Sequence, residues 1–173
     1  SSSSDTEVLL RSYLQWGRDC LQRINGCFAL AIIDPRQHTL LIARDRLGVK
    51  PLYYYEDSSK LCFASSVAAL TALCGRQEAD PAAISHYFTT CRITFGEKTL
   101  YKNIKTLMPA CWLSFSLENK RCEKGRYWQR PALSPEEKIL LPAAEIYQQT
   151  MKLLDGAISE RLMSDVPLGC FLS

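Results

Sequence analysis

A chain of 173 residues, 47% hydrophobic and 23% charged, has the length of one domain, or of one domain and part of another, and an ordinary soluble globular composition. Its 21 basic residues are scattered among 18 acidic ones, for a net charge of +3, and no Lys/Arg run forms a nucleic-acid or membrane patch. No apolar run approaches the roughly 20 residues of a membrane span, and the opening Ser1-Ser2-Ser3-Ser4-Asp5 is not a signal peptide. The eight cysteines, at 20, 27, 62, 74, 91, 111, 122 and 170, contain no C-x-x-C pair, and only His38 and His86 could help hold a metal. Cys27, Cys62, Cys111 and Cys170 lie in apolar runs, where cysteine behaves as a small hydrophobe. Reduced thiols in a cytoplasmic protein without a metal site are therefore expected.

In chain order, Ser4-Asp5-Thr6-Glu7 has the S-x-x-E form of a capping box, with Leu9, Leu10, Tyr13 and Leu14 following at helical spacing and Gly17 as a stop. Locally, Asp5 is a first-turn acid that suits the helix dipole. A short second helix is expected over 18–23. Two apolar runs, 27–34 and 39–43, joined by Pro35-Arg36-Gln37-His38, predict a β-hairpin. Ala29 to Ile33 run without a polar break, so both faces of the hairpin should be covered. The charged turn Arg44-Asp45-Arg46 could line a path or an interface, but charge-assisted hydrogen bonds that lock the turn are the favoured reading. Strands over 51–56 and 60–65 follow, then a helix over 67–73. Asp80-Pro81 supplies an N-cap and an N1 proline for a helix through about Phe88.

The motifs N-G-x-F-A-x-A-x-x-D over 25–34, A-R-D-R-L-G-x-K-P-L-Y-Y over 43–54 and Phe63-Ala64-Ser65 together resemble the glutaminase domain of class II glutamine amidotransferases. Within that group they are most similar to the glutamine-hydrolysing asparagine synthetases. The segment 104–116 is similar to the family's I-x-x-L-x-P-G-x-x-L strand, and 121–128 would return as its partner. Two departures stand out: Ser66 where the family has glutamate, and Ala110 where it has glycine. The resemblance implies an α+β fold, a partial N-terminal-nucleophile αββα sandwich over 1–128. A linker over 129–140 would lead to the first helix and strand of an α/β ATP-pyrophosphatase domain over 141–173. A Pro142-led helix with Tyr147, Met151, Leu154, Ile158 and Leu162 on one face, ending near Met163, and a short strand over 168–172 fit that second domain.

The resemblance also implies roles. Asp5 falls on the aspartate that holds the α-amino group of the substrate glutamine; a plain helix-start acid is the alternative. Phe171 and Ser173 would share a strand face, Phe171 against the adenine of ATP and Ser173 at its phosphates; a core phenylalanine and a surface serine are the alternative. The nucleophile of such enzymes is an N-terminal cysteine whose own amine acts as base. Position 1 is Ser1, and the R-L-S and N-G-E segments of the glutamine pocket have no counterpart. The chain is thus expected to be an internal fragment, catalytically inactive alone, with no catalytic residue assigned.

The parent enzyme would hydrolyse glutamine and pass ammonia to a carboxylate, aspartate or another, activated by ATP and Mg²⁺ as an acyl-adenylate; a homodimer is compatible with this. The alternatives are an amide-forming relative serving cell-surface polysaccharide or β-lactam synthesis, or a non-catalytic binding module that keeps the fold.

Overall fold

The computed structural model describes residues 4–93, 95–132, 134, 141–162, 164 and 166–169. The chain divides into two compact units, Ser1–Arg130 and Pro131–Ser173.

The first unit opens with α1 (Asp5–Trp16), where the Ser4 hydroxyl accepts a hydrogen bond from Thr6 N–H at 3.3 Å. That bond satisfies one of the amides a helix start leaves open. Gly17, at φ +56°, ends the helix, a backbone region that glycine enters without a Cβ penalty. A 3₁₀ turn, Gly17–Asp19, leads into α2 (Cys20–Arg23). The strands β1 (Ala29–Asp34) and β2 (Thr39–Arg44) form the hairpin, then come β3 (Tyr53–Glu56), β4 (Leu61–Ala64) and α3 (Val67–Cys74). Ser66, the departure at the family's glutamate, caps α3 through a bond from Ala69 N–H at 3.2 Å. Helix α4 (Pro81–Thr90) starts at Asp80, whose carboxylate accepts from Ala82 and Ala83. It runs past Phe88 because Cys91 takes the left-handed cap, φ +56°. The short β5 (Ile104–Thr106), β6 (Cys111–Ser116) and β7 (Cys122–Arg126) complete the unit.

Two antiparallel sheets result, ordered β1-β2-β6-β7 and β4-β3-β5. Strand alternation splits β2 between two cores. Leu41 and Ala43 pack with Tyr13, Cys20, Leu21, Leu30 and Trp112 beneath α1 and α2. Leu40 and Ile42 face the other way, into Leu52, Tyr54, Leu107, Leu113 and Phe115 between the sheets. Since Leu61 and Phe63 also join that inter-sheet core, the opposite face of β4 meets α3, which packs on β3 and β4. The order is therefore helix, sheet, sheet, helix. Tyr54 is fully buried, its hydroxyl 3.2 Å from Lys124 Nζ.

The hairpin departs from expectation on one strand. Strand β2 is buried on both faces, but β1 alternates: Leu30 is buried, while Ala29, Ala31 and Ile33 are exposed, Ile33 at 69%. The inter-sheet core draws on β2, β6 and residues of β7, with no member from β1, so the second sheet stops short of this edge strand. Cys27 is likewise exposed and precedes β1 rather than lying in it. Cys62 and Cys111 sit half-buried in strands.

In the second unit, α5 (Ala143–Ser159) begins after Pro142 and ends at Ser159 rather than near Met163. Leu168 and Gly169 are not in a strand, and the remainder of that expected strand lies outside the described residues.

Candidate functional site

The turn between β2 and β3 gathers the densest polar contacts near the motif residues. Arg44 donates from Nε to Lys50 O (2.7 Å), from Nη2 to Gly48 O (2.7 Å), and from Nη1 to Leu107 O (2.8 Å) and Thr106 Oγ1 (3.2 Å). Asp45 is 1% exposed. Its Oδ1 accepts from the N–H groups of Leu47 (3.2 Å) and Val49 (2.9 Å), and its Oδ2 from that of Lys50 (3.0 Å). Burial alone would raise its pKa, yet these amides, with that of Gly48, hold it below the ordinary 3.8. The Asp45 main chain also bonds Phe28 O, Gly48 N–H and Ala110 N–H, and Tyr127 Oη donates to Arg44 O at 2.8 Å. Burial, then the Asp45 charge, pushes Tyr127 up to about 12, so it stays a neutral donor. Gly48 has φ +69°, and a Cβ there would stand 2.8 Å from Pro109 Cγ.

The Arg44 guanidinium and the Asp45 carboxylate are thus engaged internally. Arg46 donates to Gln22 O at 2.8 Å and lies over the Trp128 ring at 5.8 Å, while its buried Nε has no hydrogen-bond partner among the described residues. The turn locks the end of the sandwich, as the favoured sequence reading holds.

Asp5 is the opposite kind of carboxylate. It stands exposed in the first turn of α1, and no hydrogen bond or ion pair engages it among the described residues. Two residues on, Glu7 is already paired with Arg11 at 2.6 Å. A free, exposed carboxylate can take a ligand ammonium by charge-assisted hydrogen bonding. Phe171 and Ser173 lie outside the described residues, so the structure does not bring them together with Asp5.

A third polar group, between the two sheets, has no signal in the sequence. Lys124 on β7 pairs with Glu56 on β3 at 2.7 Å and with the buried Tyr54 hydroxyl. Burial would raise the Glu56 pKa, but hydrogen bonds from Cys122 and Lys124 and the charge of Lys124 hold it low. Cys122 is pushed up to about 12 by burial and then by Glu56, which makes it an unreactive thiol. Strand parity puts Lys124 on the face of Cys122, but no local pattern names partners 68 residues apart. Among the described residues, no three His, Cys, Asp or Glu side chains gather in a metal-holding group, and no helix is long and apolar enough to cross a membrane.

The sequence profile described as "Glutamine amidotransferase domain" matches residues 1–128. Asparagine synthetase (glutamine-hydrolysing) 3 of Bacillus subtilis is 35% identical over 172 residues, 99% of this chain and 27% of that protein. A Methanocaldococcus jannaschii protein, bearing the provisional name of a second glutamine-hydrolysing asparagine synthetase, is 33% identical over 99% of this chain and 33% of its own length. A Penicillium rubens protein named amidase chyE is 30% identical over 99% of this chain and 25% of its own length. The chain thus spans between a quarter and a third of the length of these relatives.

Proposed function

Because the chain belongs to the glutamine amidotransferase domain family, we propose that it is the glutamine-holding part of a larger ATP-dependent, glutamine-hydrolysing asparagine synthetase. The observation that carries this is Asp5: an exposed, unengaged carboxylate in the first turn of α1, inside the family match. Its carboxylate accepts hydrogen bonds from the α-ammonium of glutamine, while α1 and the sheet beneath it, pinned by the Arg44–Asp45 turn, keep it in place. A charged hydrogen bond of this type contributes about 1.5–3 kcal/mol, enough to set the affinity for an amino acid.

Under this reading the stacked sheets are part of an N-terminal-nucleophile sandwich, and another part of the parent protein supplies the nucleophilic cysteine. Ammonia released from glutamine passes to a second domain that begins in 141–173, after a linker over 129–140. There ATP, entering with Mg²⁺ as a substrate complex, activates aspartate, and ammonia attacks the adenylate to give the amide, AMP and pyrophosphate. Phe171 and Ser173 are proposed for the adenine and the phosphates. A second reading, with a different carboxylate as acceptor, draws on the relative named an amidase.

The test uses the parent protein and two nitrogen donors. Asp5→Asn raises KM for glutamine about 10- to 100-fold and leaves ammonia-dependent amide formation unchanged. An unchanged glutamine KM, or equal loss with both donors, overturns the role of Asp5. Offering aspartate beside other carboxylates and following AMP separates the two acceptors.

A further inference from the structure

We propose that Cys62 and Cys74 form a thiol modification site, a reversible disulfide that staples α3 to the outer face of the β4-β3-β5 sheet. The placement follows from strand parity. Leu61 and Phe63 of β4 point into the inter-sheet core, so Cys62 points the other way, toward the helix that packs on β3 and β4. Cys74 is the last residue of that helix, and burial, then the neighbouring Cys74 thiol, raises the pKa of Cys62. Tyr55 lies directly across from Cys62 in the sheet register. Both cysteines are free and half-buried, so a small oxidant reaches them where it would not reach the fully buried Cys20.

The chemistry balances with a glutathione-type disulfide as oxidant. The Cys74 thiolate attacks it, since burial disfavours the thiolate of Cys62, forming a mixed disulfide and releasing one small thiol. The second cysteine, deprotonated, attacks the mixed disulfide, the Cys62–Cys74 bond forms, and a second small thiol leaves. Two electrons and two protons pass from the cysteine pair to the oxidant. The bond closes a loop of about a dozen residues, which limits the unfolded chain and ties down a helix otherwise held by one packed face.

The test treats the full chain with oxidised glutathione, blocks remaining thiols with N-ethylmaleimide, and maps the digest by mass spectrometry. The expected result is a linked Cys62–Cys74 peptide pair lacking the two thiol hydrogens. It disappears on adding dithiothreitol, is missing from Cys74→Ser, and accompanies a rise in Tm of roughly 5–10 °C. Cys74→Ser, changed only at a helix end, keeps the Tm of the reduced protein. Separate glutathione adducts on Cys62 and Cys74, or cross-links scattered over the cysteines as they are in urea, overturn the proposal.

Discussion

Two aspartates show how one residue type meets opposite surroundings. Asp45 is buried, and its two carboxylate oxygens take three backbone N–H groups of its own turn. Asp5 is exposed at the start of α1, with no engaged partner among the described residues. A buried carboxylate with three of its roughly four lone-pair sites already taken is closed to a substrate, and removing it orphans several buried amides. An unsaturated, exposed one contributes little to the fold and is open to a ligand. Counting donors thus separates the acid that holds the fold from the acid left open.

The sharpest way to break that contrast is to neutralise Asp45. Asp45→Asn removes the charge that three amides solvate and sets an NH₂ against one of them, so a loss of about 3 kcal/mol is expected, read from urea denaturation of the full chain. The pH dependence has a fixed sign. The folded pKa of Asp45 is depressed, so its contribution is complete above the unfolded value and drains away as pH falls through the folded one. The stability gap between wild type and Asp45→Asn should be widest at neutral pH and narrow below about pH 4. A gap independent of pH would mean that shape rather than charge holds the turn.

Next in size come two positions where the same backbone geometry meets different residues. Gly48 is at φ +69° with Pro109 2.8 Å from where a Cβ would be. Gly48→Ala should cost about 2–3 kcal/mol, through left-handed strain and a contact the proline ring cannot easily yield. Ala110 sits at φ +59° and is almost fully buried, in the place where the resemblance puts glycine. Ala110→Gly relieves that strain but gives up a buried methyl and adds freedom to the unfolded chain, so the terms nearly cancel and the net change stays within about 1 kcal/mol of zero. A loss of more than about 1 kcal/mol on this change would show that methyl packing, not backbone strain, dominates there.

Much of the fold was legible because its signals are local. Ser4, Gly17 and Asp80-Pro81 each mark a helix end by their own side chain or backbone freedom, and the 27–43 hairpin declares itself by two apolar runs around a short connector. The Asp45 turn was legible as a lock because its charges sit among apolar strands. What the sequence hid depends on the neighbour. The run Ala29 to Ile33 is as apolar as that of β2, yet nothing in it says that the second sheet ends before reaching β1. The Lys124–Glu56–Tyr54 group joins strands far apart in sequence. Of the candidate site residues, only Asp5 is within the described residues, and its freedom from partners is a tertiary fact that its capping-box setting could not reveal.

The smallest expected effect is the one that sharpens the comparison most. Asp5 contributes to stability only as a first-turn acid facing the helix dipole, an interaction of a few tenths of a kcal/mol at an exposed site and screened by salt. Asp5→Asn should therefore shift the urea midpoint of the full chain by an amount equivalent to at most about 0.5 kcal/mol, and by less in high salt. Its proposed effect on glutamine KM is far larger. That pairing, near-silence in stability beside a clear change in binding, is the signature of a group held in reserve for a ligand, and Asp45→Asn should show the reverse. If Asp5→Asn instead destabilised the chain as Asp45→Asn does, Asp5 would be a second lock in the fold, and the glutamine α-ammonium would need another carboxylate.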